Sequence, residues 1–174
     1  SRGELNLATK ELERAMDAAR AVAIPHNREI IHIIQRGFVV DGQDVAALND
    51  TELNALRMKI GLVFQGGALF DSISVEGNVR FPLDMFTTMS NKEKQERVAF
   101  CLEHVNIEKK AFNLSPSEIS GGMKKRVAIA RAISLNPRYL FCDEPNSGLD
   151  PVTSILIDNL IKEITVEFDI TTLI

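Results

Sequence analysis

Two adjacent carboxylates follow an apolar run in the last third of the chain. Asp143 and Glu144 come directly after Tyr139–Cys142, a short stretch of the kind that forms a central parallel strand. Ligands of α/β sheets bind at the carboxyl ends of the strands, so the position is chemically useful. One carboxylate there can hold a magnesium ion that bridges nucleotide phosphates, and its neighbour can accept a proton from an attacking water. Because acidic residues are common at strand ends, the pattern alone is weak evidence for a metal site and is more typical of a structural strand terminus.

A second feature is a serine and two glycines in front of a cationic helix. Ser120, Gly121 and Gly122 precede a segment with four basic residues, namely Lys124, Lys125, Arg126 and Arg131. A serine N-cap satisfies a backbone N–H, side-chain-free residues let the backbone approach an anion closely, and the helix dipole favours negative charge there. The pattern indicates a phosphate-binding turn, although a merely capped helix after a tight turn has the same residues.

Together with their neighbours, these residues resemble the signature, Walker B and D-loop sequences of ABC ATPases. The matching stretches are ISGGM at 119–123, KRVAIARA at 125–132 and DEPNSGLDP at 143–151. Gln65, after an apolar run, falls where that family has its Q-loop. The resemblance extends from about Gly37 to Ile174. It implies a subunit that binds and hydrolyses ATP with Mg²⁺ and drives transport through a membrane permease.

The resemblance implies roles for three residues around the metal. Asp143 would hold Mg²⁺, directly or through water, and Glu144 would polarise the attacking water as the catalytic base. Gln65 would reach the metal and sense the permease. Each role suits the oxygen-rich chemistry of the side chain that is assigned to it.

A further five residues are implied to face a second ATPase subunit. Ser120, Gly121 and Gly122 would touch the γ-phosphate of a nucleotide bound to that subunit, Met123 completes this nucleotide-binding group, and Asp150 would cross the homodimer interface. The family usually has Gln where this chain has Met123. ATP-binding subunits of bacterial phospholipid-trafficking (Mla/Mce-type) transporters often carry such a methionine, and the stretch FQGGALFDS at 64–72 looks like theirs. The resemblance therefore favours transport of a phospholipid or related lipid.

Strands that alternate with helices predict an α/β fold, and the resemblance implies a P-loop-NTPase-like ABC ATPase domain with a mostly parallel sheet. Helices would pack against this sheet, with a helical subdomain at about residues 71–120. Apolar runs predict strands at 60–64, 139–142 and 170–174. Capping and periodicity predict helices that begin near Asn49, run from Ser90 to about Val105, and cover about 122–135 and 151–165. Among the loops, 66–82 is hypothesised to dock a permease helix.

Residues 1–36 do not match the family pattern, whereas 37–174 would form a partial ABC ATPase domain. The first segment contains a predicted amphipathic helix at about 5–22 and is either divergent or incomplete in this sequence. No string in the 174 residues has the phosphate-cradling pattern G-x-x-x-x-G-K-[ST]. We therefore expect the chain by itself not to hydrolyse ATP. A second interpretation is a degenerate, non-catalytic ABC domain that acts as an interaction module.

Composition bounds the partners. A formal net charge of −4 and a pI near 5.4 offer no basic surface for phosphates, which disfavours nucleic acid and a third interpretation, an ABC protein acting on DNA or the ribosome. No apolar run approaches the roughly 18 residues of a membrane span, so no direct membrane insertion is expected. The expected location is cytoplasmic, peripheral on the inner face of the cell membrane. Cys101 and Cys142 are expected to be buried packing residues.

Overall fold

A three-stranded parallel sheet organises the chain. The computed structural model describes residues 33–34, 37–40 and 42–174. The sheet contains strands β4 (Ile60–Val63), β5 (Tyr139–Cys142) and β6 (Thr171–Leu173), with β5 in the centre and parallel to both neighbours. All four residues of β5 are buried, as a central parallel strand requires. The predicted strands and their parallel pairing are thus confirmed, with ends that differ by one residue.

A small antiparallel sheet precedes the parallel one. Its strands β1 (Ile33–Ile34), β2 (Gly37–Val40) and β3 (Gln43–Asp44) pair in that order. Gly42, in the turn between β2 and β3, has a φ of 75°, a conformation that glycine adopts without steric penalty. The helix predicted at about 5–22 lies outside the described residues.

The part of the chain that the structure describes contains five α-helices in addition to the parallel sheet. They are α1 (Asp50–Met58), α2 (Val75–Phe86), α3 (Asn91–His104), α4 (Gly121–Ile133) and α5 (Pro151–Glu167). Short 3₁₀ turns lie at Val45–Ala47, Lys109–Ala111 and Pro116–Glu118. The predicted capping boxes of Asn49 with Glu52 and of Ser90 with Glu93 are both formed. Among the described residues, no helix is both long and apolar enough to cross a membrane.

Helix α2 was not predicted as a separate element, although it lies within the helical subdomain expected at about 71–120. It contains Pro82 in its interior, where a proline removes one backbone hydrogen bond and normally breaks a helix. The first turn of the helix is nevertheless anchored by the fully buried Asn78, whose side-chain amide donates to the carbonyls of Phe70, Ile73 and Ser74 and accepts from the Phe70 N–H at 2.7 Å. Tertiary hydrogen bonding and packing, rather than local propensity, therefore hold this helix.

Successive side chains of the central strand β5 point to opposite faces of the sheet, so the strand contributes to two separate cores. Leu140 and Cys142 point into the larger core, which the buried faces of α2, α3, α4 and α5 complete. Tyr139 and Phe141 point into the smaller core, together with Leu56 of α1. The two buried thiols expected as packing residues are indeed buried, and burial raises the pKa of Cys101 to about 11 and that of Cys142 to about 12.

Candidate functional site

The carboxyl ends of β4 and β5 bring two predicted site residues into contact. Val63 pairs with Cys142 at the ends of these strands, so the residues that follow leave the sheet side by side. Gln65 Nε2 donates a 2.6 Å hydrogen bond to Glu144 Oε2 and a 3.0 Å bond to Ser147 Oγ. Seventy-nine positions separate Gln65 from Glu144 in the sequence. The parallel sheet is therefore what assembles this pair.

The backbone at Glu144 is strained. Its φ is 42°, a left-handed conformation that is uncommon for a residue with a side chain and is further disfavoured in front of Pro145. The Asp143 N–H still bonds the Val63 carbonyl at 2.8 Å, so the chain departs from the sheet only at Glu144. Such outliers occur where surrounding structure fixes them, and they cluster at functional sites.

The donor set at this edge fits a hard cation. Asp143 and Glu144 are exposed carboxylates, and the side-chain amide of Gln65 adds an oxygen. Within the part of the chain that the structure describes, no group of three or more His, Cys, Asp or Glu side chains could hold a metal ion by itself. Magnesium usually keeps several waters and takes only one or two carboxylates plus substrate phosphates, so these residues fit Mg²⁺ bound together with a nucleotide.

The amino-terminal end of α4 forms a second cluster. Ser120 is the N-cap, and its hydroxyl accepts a hydrogen bond from the Met123 N–H at 3.2 Å. A groove of about 430 Å³ runs over this end, between Ser120–Met123 and the loop that carries Leu149 and Asp150. Free backbone N–H groups and the positive end of the helix dipole make this groove suited to an anion.

Asp150 borders the same groove and caps the next helix. Its carboxylate accepts from the backbone N–H groups of Val152 and Thr153 and, at 2.5 Å, from the Thr153 hydroxyl. The Thr153 hydroxyl is the main reason that the pKa of Asp150 is lowered. A Cβ on Gly122 would stand only 2.9 Å from Thr153 Cγ2, so the close approach of α4 to α5 depends on this glycine.

One functional candidate was not singled out from the sequence. Lys125 of α4 is only 6% exposed, and its ammonium donates to the Gln65 carbonyl and lies 3.5 Å from the Glu144 carbonyl. Burial lowers the pKa of Lys125, and the charges of Asp143 and Glu144 oppose that shift. A signal was present, because Lys125 stands three and four positions before Ala128 and Ile129 and so lies on the apolar face of α4.

Comparison with known proteins decides the family. The model of the ABC transporter family matches residues 27–147, more than half of the chain. The chain belongs to the ABC transporter family. A second family model, the SHS2 domain inserted in FtsA, matches residues 2–47, most of which lie outside the described part of this ABC chain.

Curated ABC proteins are similar over most of this chain. It is 43% identical to methionine import ATP-binding protein MetN 1 of Bacillus thuringiensis subsp. konkukian over 135 residues, 78% of this chain and 39% of that protein. It is 41% identical to the probable ribonucleotide transport ATP-binding protein mkl of Mycobacterium leprae over 143 residues, 80% of this chain and 40% of that protein. The chain thus spans about two fifths of the length of these relatives.

Solved ABC structures share the architecture. The dimeric ATP-binding cassette MJ0796, in a post-hydrolysis state bound to ADP and Pi, aligns with a TM-score of 0.66 and 36% identity, covering 76% of this chain and 58% of that one. The cbiO1 protein of Clostridium perfringens, part of the ABC transporter complex cbiONQ, aligns with a TM-score of 0.69 and 31% identity, covering 78% and 53%. The predicted ABC ATPase fold is confirmed.

Proposed function

We propose that this chain is part of the ATP-binding and ATP-hydrolysing subunit of an ABC transporter and works as a homodimer. The observation that carries the proposal is the Gln65–Glu144 contact at the ends of two parallel strands, next to the metal-competent Asp143. The relative MJ0796 is a dimer that binds ADP and Pi, which supports the same chemistry.

The proposed mechanism divides the work between two clusters. Mg²⁺ would neutralise phosphate charge when it is bound by Asp143 with help from Gln65. The Glu144 carboxylate would orient a water and accept its proton. In the homodimer, the groove over Ser120–Met123 would bind the γ-phosphate of the nucleotide held by the partner, because the backbone N–H groups at this helix end can donate hydrogen bonds to an anion. Asp150, on the rim of this groove, would meet the second subunit.

The partner in the membrane would be a permease, and an exposed apolar surface supports this. The rings of Phe70 and Phe81 make a tilted contact with centroids 4.7 Å apart and are 42% and 40% exposed. Met85 and Phe86, which follow Phe81 in α2, are exposed as well. Leu69 packs against the larger core instead, so it supports the fold more than a docking surface. A subunit docked in this way would sit at the inner face of the cell membrane.

For the cargo we propose a phospholipid or related lipid, on the strength of Met123 and the FQGGALFDS stretch. The names of the relatives supply two competing cargoes, methionine and ribonucleotides. Reconstituted transporter, assembled from full-length subunits, should hydrolyse ATP faster when phospholipid acceptors or donors are supplied. Stimulation by methionine or a ribonucleotide alone would replace the lipid assignment.

The catalytic proposal is tested by Glu144→Gln. In an assembly with complete P-loops, this change should leave ATP binding intact and slow hydrolysis by about 10²–10⁴-fold, the usual contribution of a positioned general base. Glu163→Gln, which changes an exposed glutamate of α5, is the matched control and should hydrolyse ATP normally. Normal turnover in Glu144→Gln would show that Glu144 is not the base.

A second candidate is a degenerate ABC domain that pairs with an intact one without hydrolysing ATP. The absence of any G-x-x-x-x-G-K-[ST] string in the sequence favours it, because phosphoryl transfer depends on positioning and charge stabilisation by that cradle. Calorimetric titration of the purified chain with Mg-ATP, with a phosphate-release assay, distinguishes the two. Weak binding without turnover is expected for the chain alone, and restored turnover in the complete transporter would favour the catalytic proposal.

A further inference from the structure

Two cations of α4 reach into the loops that carry the catalytic pair. The Lys125 ammonium donates to the Gln65 carbonyl and lies 3.5 Å from the Glu144 carbonyl. Arg131 donates to the Gly67 carbonyl at 2.8 Å and to the Ala68 carbonyl at 2.7 Å. Two cations of α4 therefore contact four main-chain carbonyls, three in the loop after β4 and one in the loop after β5.

The backbone at these contacts is held in an unfavourable conformation. Glu144 has a φ of 42° and Ala68 a φ of 44°, both in the left-handed region, and neither residue is a glycine. Each of these two residues has its carbonyl within reach of a cation of α4, Lys125 for Glu144 and Arg131 for Ala68. Because charge-assisted hydrogen bonds are stronger than neutral ones, they suit the task of keeping such a backbone in place.

We propose that Lys125 is a positioning residue that fixes the main chain of Gln65 and Glu144 and ties both to the helix that Ser120 caps. This inference rests on the proposed function, since it deepens the account of the same site. Burying an ammonium group, which carries three hydrogen-bond donors, costs stability unless carbonyls and nearby negative charges compensate for the lost water. The two loops offer Lys125 both carbonyls and carboxylates.

The link has a mechanical consequence. Lys125 stands five residues, or about 7.5 Å along the helix axis, from the cap at Ser120. A nucleotide phosphate of the partner that binds in the groove at Ser120 would therefore contact the same helix whose next turns hold the main-chain carbonyls of Gln65 and Glu144. Through Lys125, binding in the groove and alignment of Glu144 become coupled.

Amide hydrogen exchange on the full-length chain without nucleotide tests the link directly. Two amides report on it, because the Ser147 N–H bonds the Glu144 carbonyl at 3.0 Å and the Gly67 N–H bonds the Phe64 carbonyl at 2.8 Å. Lys125→Met keeps the length of the side chain and removes its donors, so exchange at both amides should rise by about tenfold. Lys125→Arg should return exchange to within about threefold of the parent.

The matched control is Lys94→Met. Lys94 of α3 is also nearly buried, with 11% of its side chain exposed, but it pairs with Asp84 at 2.9 Å, away from the site. Unchanged exchange in Lys125→Met, or an equal rise in Lys94→Met, would overturn the proposal. If Lys125→Met does not fold, Lys125→Gln takes its place, and exchange at the same two amides should then rise by about threefold.

Kinetics of the assembled transporter distinguish a positioning role of Lys125 from a role in protein stability alone. Lys125→Met should lower kcat by about tenfold and leave KM for ATP within about twofold, because binding survives while alignment is lost. A rise in KM with unchanged kcat would contradict the positioning role. A parent assembly without ATPase activity would refute the proposed function, whereas the exchange result would still decide whether Lys125 holds the two loops.

Discussion

Gly61→Ala should destabilise the protein because strand β4 lies unusually close to helix α4. A Cβ built on Gly61 would stand 2.6 Å from the Ala132 carbonyl oxygen and 3.1 Å from Leu140 Cδ1. The first contact is with helix backbone, which cannot rotate away as a flexible side chain would. The substitution must therefore push α4 from the sheet.

The expected size follows from two opposing terms. Overpacking a well-packed core costs about 1–3 kcal/mol, and replacing glycine by alanine returns roughly 0.4–1 kcal/mol through the unfolded state. The net loss for Gly61→Ala is about 1–2 kcal/mol. For a chain of this length, such a loss lowers Tm by about 2–8 °C.

Denaturant and thermal unfolding of Gly61→Ala measure this loss, with Gly66→Ala as the control. A Cβ on Gly66 meets nothing within 4 Å, and Gly66 is not among the residues with positive φ. The control should therefore lie within about 0.5 kcal/mol of the parent. A Gly61→Ala protein as stable as the control would refute the close approach of β4 and α4.

Three further predictions concern the partner sites and acid stability. Ser120→Arg should abolish ATP-driven dimerisation in sedimentation experiments with complete P-loops, while loss of the N-cap costs only about 1 kcal/mol of stability. Phe70→Glu should reduce co-purification with the permease, because Phe70 is exposed in the proposed docking patch. Hydrogen bonds from Lys94 and then Arg80 lower the pKa of Asp84 from 3.8, so its stabilisation is present above pH 3.8 and is lost as pH falls through the lower folded-state pKa. Asp84→Asn should therefore lower Tm at neutral pH, and its difference from the parent should shrink as pH falls below 3.8.

Each of these predictions has a control on the same chain. Ser117→Arg changes an exposed serine outside the groove, and Val166→Glu places the same charge on a residue that is 82% exposed on α5. Glu96→Gln removes a more exposed ion pair with Lys92 and should have little effect at any pH. ATP-driven dimers of Ser120→Arg, or permease capture by Phe70→Glu equal to that of Val166→Glu, would contradict the assignments. If the Tm of Asp84→Asn and that of the parent changed with pH in parallel, the predicted loss of stabilisation by Asp84 at low pH would be wrong.

Elements with complete local signals could be predicted from the sequence. Helices α1 and α3 each begin with a capping box, and β5 is a short apolar run whose four residues are all buried. Helix α2 could not be predicted, because Pro82 in its interior is a local signal against a helix. The hydrogen bonds that Asn78 makes to the preceding loop anchor the helix, and they form only in the folded chain.

The candidate site shows the same division. Parallel strands with known ends predict that Gln65 and Glu144 leave the sheet on one side, so their proximity followed from topology. The role of Lys125 did not, since a lysine next to Lys124 and Arg126 reads as part of a solvated cationic face. The spacing of Lys125 from Ala128 and Ile129 places it on the apolar face of α4, but only the packing of α4 against the loop after β4 shows which main-chain groups it bonds.

The departure at Met123 also has a structural explanation. Its backbone N–H, not its side chain, bonds the Ser120 hydroxyl and completes the cap of α4. The Met123 side chain packs against the larger core while the residue still borders the groove. A side chain that packs under the groove leaves the anion to the backbone N–H groups and the helix dipole, which do not depend on the residue type at this position. The cap, and with it the proposed binding of a partner's phosphate, is therefore compatible with methionine where related proteins have glutamine.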